Sequence, residues 1–174
     1  DGTNRDLHFL IGRKRQMVKE TEIGTDRSFN EPAGIAIDTL GNLFIADRQN
    51  HRIRKISPTR VVTTIAGSGL TGEGNGSFLN GDLATSRFSI PTAVAVDRAG
   101  NIFVAEEHNR RIRKITPAGV VSTLAGSGSQ TFANGTGTAA SFSQPMGISI
   151  DALGNLYLAD MLSLIHISEP TRPY

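Results

Sequence analysis

Several short stretches of this chain are apolar at adjacent positions instead of alternate ones. "GIAI" (Gly34–Ile37) is followed by "LFIA" (Leu43–Ala46), and later "GISI" (Gly147–Ile150) by "LYLA" (Leu156–Ala159). A strand of that kind is covered on both faces. Between the members of each pair lies a polar five-residue word: "DTLGN" at Asp38–Asn42, "DRAGN" at Asp97–Asn101 and "DALGN" at Asp151–Asn155. Glycine supplies a positive φ there, and Asp and Asn hydrogen-bond nearby backbone, so each word predicts a tight hairpin. The three aspartates recur at one turn position, which marks them as turn formers and not as catalytic groups.

The pattern repeats on a larger scale. "EPAGIAIDTLGNLFIAD", "IPTAVAVDRAGNIFVAE" and "QPMGISIDALGNLYLAD" align, with Pro32, Pro91 and Pro145 in register. "NHRIRKI" at Asn50–Ile56 returns as "NRRIRKI" at Asn109–Ile115, and "RVVTTIAGSG" from Arg60 as "GVVSTLAGSG" from Gly119. The first unit therefore reads as four strands near 34–37, 43–46, 52–56 and 61–65, with Pro58 turning the third into the fourth. No segment is long enough to supply covering helices. The expected class is all-β: four-stranded antiparallel sheets stacked face to face, repeated radially as in a propeller. Ala36, Ala46, Ala95 and Ala105 suit the crowded inner part of such blades.

These spaced words resemble the NHL repeats, in the long form found in bacterial proteins. "GNLFIADRQNHRIRKISP", then "VVTTIAG", then a glycine-rich loop carry the likeness, which covers roughly residues 24–160. The Asn-His-Leu signature itself reads "NHR" at Asn50–Arg52 and "NRR" at Asn109–Arg111. The resemblance implies a β-propeller. Two units and the start of a third are present, so an open, partial propeller is expected. Residues 1–23 fit the repeat poorly and are set apart as a divergent or poorly ordered segment. Residues 24–162 form the repeat region. Residues 163–174 are a non-repeat tail that resembles a translated sequencing-adapter string.

Composition narrows the chemistry. The 174 residues contain no Cys, which excludes disulfides and thiolate chemistry. A net charge of +2 argues weakly for a polyanion partner. Arg52, Arg54, Lys55, Arg111, Arg113 and Lys114 are the candidate polyanion or partner surface, since clustered cations neutralise phosphates. The same residues suit a structural role, with stems laid across a neighbouring blade and heads meeting acids or solvent. The aromatic interleaving of single-strand platforms is missing from these words. His8, His51, His108 and His166 lack ligand spacing, so no metal and no cofactor are expected. "GEGNGSFLNGD" (Gly72–Asp82) offers oxygens and glycines in neither an EF-hand nor a phosphate-loop order, and reads as a flexible inter-blade connection. "NGS" at Asn75 and "NGT" at Asn134 are glycosylation sequons, which tilt localisation slightly toward secreted, periplasmic or extracellular.

No apolar run reaches the roughly 18 residues that span a bilayer. Repetition without a unique reactive cluster favours a non-catalytic scaffold that binds a protein, or a small ligand, through loops on one propeller face. The alternatives are a propeller enzyme, a lyase or hydrolase with its site on other blades, and an RNA-binding face.

Overall fold

The computed structural model describes residues 28–67 and 78–161. Among them are eleven strands, two short 3₁₀ turns and no α-helix. The first blade is β1 (Pro32–Ile37), β2 (Leu43–Asp47), β3 (Arg52–Ile56) and β4 (Val62–Ala66), paired in chain order and antiparallel throughout. β5 is the two-residue Gly81–Asp82. The second blade is β6 (Pro91–Val96), β7 (Ile102–Glu106), β8 (Arg111–Ile115) and β9 (Val120–Ala125), with β5 added outside β9. β10 (Pro145–Ile150) and β11 (Leu156–Asp160) form a third antiparallel hairpin. The architecture is a partial β-propeller, open over the described residues. The expectations for residues 1–23, for the tail 163–174, for Asn75 and for most of the Gly72–Asp82 loop lie outside the described residues.

The two sheets share one register. Leu43 faces Ile56 as Ile102 faces Ile115, and Asp47 faces Arg52 as Glu106 faces Arg111. The hairpin words behave as composed. Gly41, Gly100 and Gly154 have φ of 81°, 82° and 88°. The Asp38 carboxylate accepts from the amides of Leu40 and Asn42 and from the Asn42 side chain, at 2.7–2.9 Å. Asp97 with Asn101 and Asp151 with Asn155 repeat the contact to the asparagine amide and side chain.

Adjacent apolar residues serve two different neighbours. On the second blade, Val94, Ile102, Val104, Ile115 and Val121 join Phe44, Ala46, Ile53 and Ala66 of the first blade in one buried cluster. The alternate residues Ala93, Ala105 and Ile112 face Ile148 and Leu158 of the third hairpin. The middle blade is thus apolar on both faces because it is covered on both. Equivalent positions of β1 alternate between half-buried and exposed, with Ile35 and Ile37 more than half exposed.

One linker departs from expectation. The connection before the second blade reads in the sequence as flexible, yet its last part is built. Asp82 accepts from the amides of Ala84 and Thr85 and from the Thr85 hydroxyl, at 2.7–3.0 Å, closing a turn. Gly81 and Asp82 pair with Val121 and Val120, so the linker becomes a fifth strand.

The blades approach most closely at Gly34. A Cβ there would lie 2.5 Å from the Ala93 Cα and 2.9 Å from the Thr92 carbonyl. Backbone cannot yield as a side-chain tip can. Gly34→Val should therefore destabilise by at least about 1–3 kcal/mol, the usual cost of overpacking. Denaturant unfolding checks this, and wild-type stability in the variant would refute the contact.

Candidate interaction face

Strands that alternate in direction sort their connections onto two rims. One rim carries the β1–β2 and β3–β4 turns and their counterparts. Its frame is uniform, although side chains between the fixed points differ, as Thr39 becomes Arg98: a Cβ at Gly41 would meet Pro58, and one at Gly100 would meet Pro117, both at 3.5 Å. The other rim carries the β2–β3 turns and the long inter-blade connectors. There the sequence varies: "RQNH" at 48–51 becomes "EHNR" at 107–110.

Beneath the variable rim lies a row of buried carboxylates. Asp47, Glu106 and Asp160 end β2, β7 and β11, and none is more than 7% exposed. Each grips the chain that enters its own blade. Asp47 accepts from the Asn30 amide at 2.8 Å, and Glu106 from the Ser89 amide at 2.8 Å. Asp160 accepts from the amides of Ser143 and Gln144 at 2.8 and 2.6 Å. Asn50 and Asn109 donate to the first two carboxylates from the following turn.

The basic words complete these clusters. Arg113 donates to Glu106 at 3.1 Å, and Arg54 lies 3.7 Å from Asp47. Both arginines are almost fully buried. Arg113 also donates to the carbonyls of Arg87 and Leu79 and to the Asn80 side chain, and it stacks on Phe78 and Phe88. Burial raises the Glu106 pKa, while Arg113, the Ser89 amide and Asn109 act in the opposite direction. Among the described residues these arginines meet an acid of their own blade and not of a neighbour. They meet one on the adjacent strand of their own blade, because Arg113 opposes Val104 and so stands diagonally across from Glu106 on the same face.

The other four cations are half-buried. Arg111 donates to the carbonyls of Asn109 and Ser127 and lies 4.1 Å over Phe78. Lys114 is 5.9 Å from the Phe103 ring centre, and Lys55 opposes Phe44. Arg52 opposes Asp47 on the neighbouring strand. Arg52 and Arg111 share a face with Arg54 and Arg113, while Lys55 and Lys114 stand on the opposite face of each sheet, so the six do not form one continuous patch.

Three contacts that join blades carry no sequence signature. Arg48 pairs with Glu31 of its own blade and Glu107 of the next, each at 3.0 Å. The Thr92 hydroxyl donates to the Pro145 carbonyl at 2.7 Å. The Ile90 amide donates to His51 Nδ1 at 3.1 Å. A single cue was available in the chain: glutamate replaces aspartate at position 106. Farther along the rim, Arg110 donates to Gln130 at 3.2 Å, and Glu31, His108 and Gln130 are exposed. Asn134 of the second sequon sits in an exposed loop.

Comparison with known proteins agrees with the blade pattern. The family model described as NHL repeat matches residues 29–56. NHL repeat-containing protein 2 of Bos taurus is 34% identical over 99 residues, which is 56% of this chain and 13% of that protein. A probable peptidyl-alpha-hydroxyglycine alpha-amidating lyase of Caenorhabditis elegans is 29% identical over 113 residues, 63% of this chain and 29% of that protein. A structural genomics protein of unknown function from Bacteroides thetaiotaomicron superposes with a TM-score of 0.69 at 24% identity, over 82% of this chain and 36% of that one. The chain spans between 8% and 29% of the length of the curated relatives it matches. Residues 29–56 thus match the NHL repeat, and the proteins this chain is similar to include both a named lyase and proteins named only for their repeats. Among the described residues, no helix is long and apolar enough to cross a membrane.

Removing one partner of a buried pair strands the other. Arg113→Met should cost about 3–5 kcal/mol, with Glu106 left unpaired in the core. Adding Glu106→Gln should recover part of that loss. Urea denaturation of the two variants checks both statements, and a single variant as stable as wild type would sink the role assigned to the pair.

Proposed function

We propose that this chain is part of a non-catalytic scaffold that binds a protein partner through its variable rim. One observation carries the reading: the recurrent polar residues are engaged in holding their own blades, whereas the rim of β2–β3 turns and long connectors bears exposed residues that change from blade to blade. Asp47, Glu106, Asn109, Arg113 and Asp160 have their polar atoms directed at backbone or at each other. Glu31, His108 and Gln130 stand outward at the loop end, where variation leaves the sheets undisturbed. A binding surface is built from such unique, exposed side chains on a rigid support. Arg52, Lys55, Arg111 and Lys114 extend the candidate surface at its base, with an acidic partner or a polyanion as the chemistry they would favour. A small ligand could share the same loops.

A second reading draws on the likeness to the amidating lyase. In it, this segment would supply blades to a propeller enzyme whose reacting groups lie on other blades. The discriminating measurement is peptidyl-hydroxyglycine cleavage by the full-length protein, which the scaffold reading expects to be absent.

The scaffold reading is tested by separating the two rims. Partners are first identified by proximity labelling in the native host with the full-length protein. The double variant Glu31→Ala/Gln130→Ala should then weaken the recovered interaction by about tenfold or more, the effect of losing an energetic anchor. Thr59→Ala/Arg98→Ala on the uniform rim should leave affinity within about twofold, as surface substitutions outside an interface do. The reverse pattern, with binding lost on the uniform rim, would overturn the proposal.

A further inference from the structure

The second blade breaks the pattern of the third, and the difference places an imidazole between blades. In the third hairpin, Asp160 uses both oxygens on the entering chain and satisfies the amides of Ser143 and Gln144 together. In the second blade the equivalent acid is Glu106. One of its oxygens accepts from the Ser89 amide and Asn109, and the other from Arg113. Neither oxygen of that carboxylate accepts from the next amide, Ile90. That amide donates instead across the blade boundary, to Nδ1 of His51, in a buried contact of 3.1 Å.

Ile90 is a demanding residue to hold. Its φ is +50°, and a β-branched side chain rarely adopts that region. Such a conformation persists only when its surroundings over-determine it. Two hydrogen bonds do so here. The Ile90 amide is held by His51, and its carbonyl accepts from the Glu107 amide at 3.1 Å. His51 itself sits in a left-handed position, φ 52°, at the end of the Arg48–Asn50 turn. The clamp therefore joins a strained entry segment of one blade to a fixed turn of its neighbour.

We propose that His51 is a pH-sensitive latch between the first and second blades: its neutral imidazole holds the Ile90 amide, and protonation at Nδ1 releases it. An imidazolium has a donor at both nitrogens and no lone pair to accept with. The charged surroundings agree. On the same turn, Arg48 is cationic, and Asp47 is occupied by Asn30, Asn50 and Arg54. On the second blade, Glu107 is paired with Arg48, Glu106 is occupied by Arg113 and its amide donors, and His108 adds a neighbouring imidazole. Among the described residues no carboxylate bonds to His51. Burial lowers the His51 pKa below the usual histidine value, and His108 lowers it further. The neutral form is thus favoured in the folded state. The latch contributes fully above about pH 6.5, the unfolded value, and is lost as pH falls from there through the lower folded value.

The test is residue-resolved amide exchange of the intact protein between pH 7.5 and 5, corrected for the intrinsic pH dependence of exchange. Ile90 should lose protection by up to about tenfold per pH unit within the window. The amides of Ser143 and Gln144, which are held by Asp160 and not by an imidazole, should stay flat. His51→Gln supplies an acceptor that does not titrate, and should abolish the pH dependence at Ile90. His108→Gln removes the neighbouring charge and should move the transition to higher pH. If His51→Gln does not fold, the direction of the His108→Gln shift decides. Flat Ile90 protection in the wild type, an undiminished transition in His51→Gln, or an unmoved midpoint in His108→Gln would each overturn the latch.

Discussion

A carboxylate buried at the end of the second strand governs the construction of each unit. An ionised acid withdrawn from water must be surrounded by donors, or it neutralises. Asp47, Glu106 and Asp160 solve this by collecting backbone amides from the chain that enters their own blade. That requirement fixes the path of the connector, the position of the inner strand and the height at which the next turn leaves the sheet. In the first two units, the asparagine of the turn and the second arginine of the basic word belong to the same arrangement. So the question raised by two copies of "RIRKI" has a physical answer. Arg54 and Arg113 are cations enclosed with an anion, and the isoleucines beside them face the inter-blade cores.

Much of the architecture was legible because the repeat states it three times. Period, turn chemistry and two-sided apolarity each point to four-stranded sheets covered on both faces. The strand limits of the first unit differ from the reading by no more than two residues. What was not legible depends on geometry between units. Nothing in "RIRKI" says that one arginine is enclosed while its neighbours are half-buried. That follows from position along the strand: Arg113 stands diagonally across from Glu106 inside the sheet, whereas Arg111, on the same face, lies at the strand's end. The contacts of Arg48 with Glu107 and of Thr92 with Pro145 depend on Arg48, Glu107 and Thr92, which each stand at their repeat position in one blade alone, so recurrence does not point to them. The built end of the linker was hidden for a related reason. Its turn depends on the single acid Asp82, set in a glycine-rich stretch.

Identical positions also differ in what they carry. Ala93 in the middle unit is covered by its neighbours, while Gly34 admits the backbone of the next blade. The cores lie between the sheets, so the stability of any unit includes its neighbours' side chains. A substitution at Val104, which is completely buried, is felt by two blades at once. The exposed residues of the variable rim, such as His108 and Gln130, lie outside these inter-blade cores. The residues at their positions differ between blades that share one sheet register.

The spacing of the buried acids has a genetic consequence. Asn30 to Asp47, Ser89 to Glu106 and Ser143 to Asp160 are each separated by 17 residues. Every acid and its amide donor therefore lie in one contiguous piece of chain, on the same side of the long connector. A recombination breakpoint within the connector leaves that piece whole. Tandem duplication then copies a working anchor along with the strands it organises, and unequal connectors do not disturb it. The repeat can multiply in a gene because its most demanding polar interaction never crosses the seam along which copies are joined.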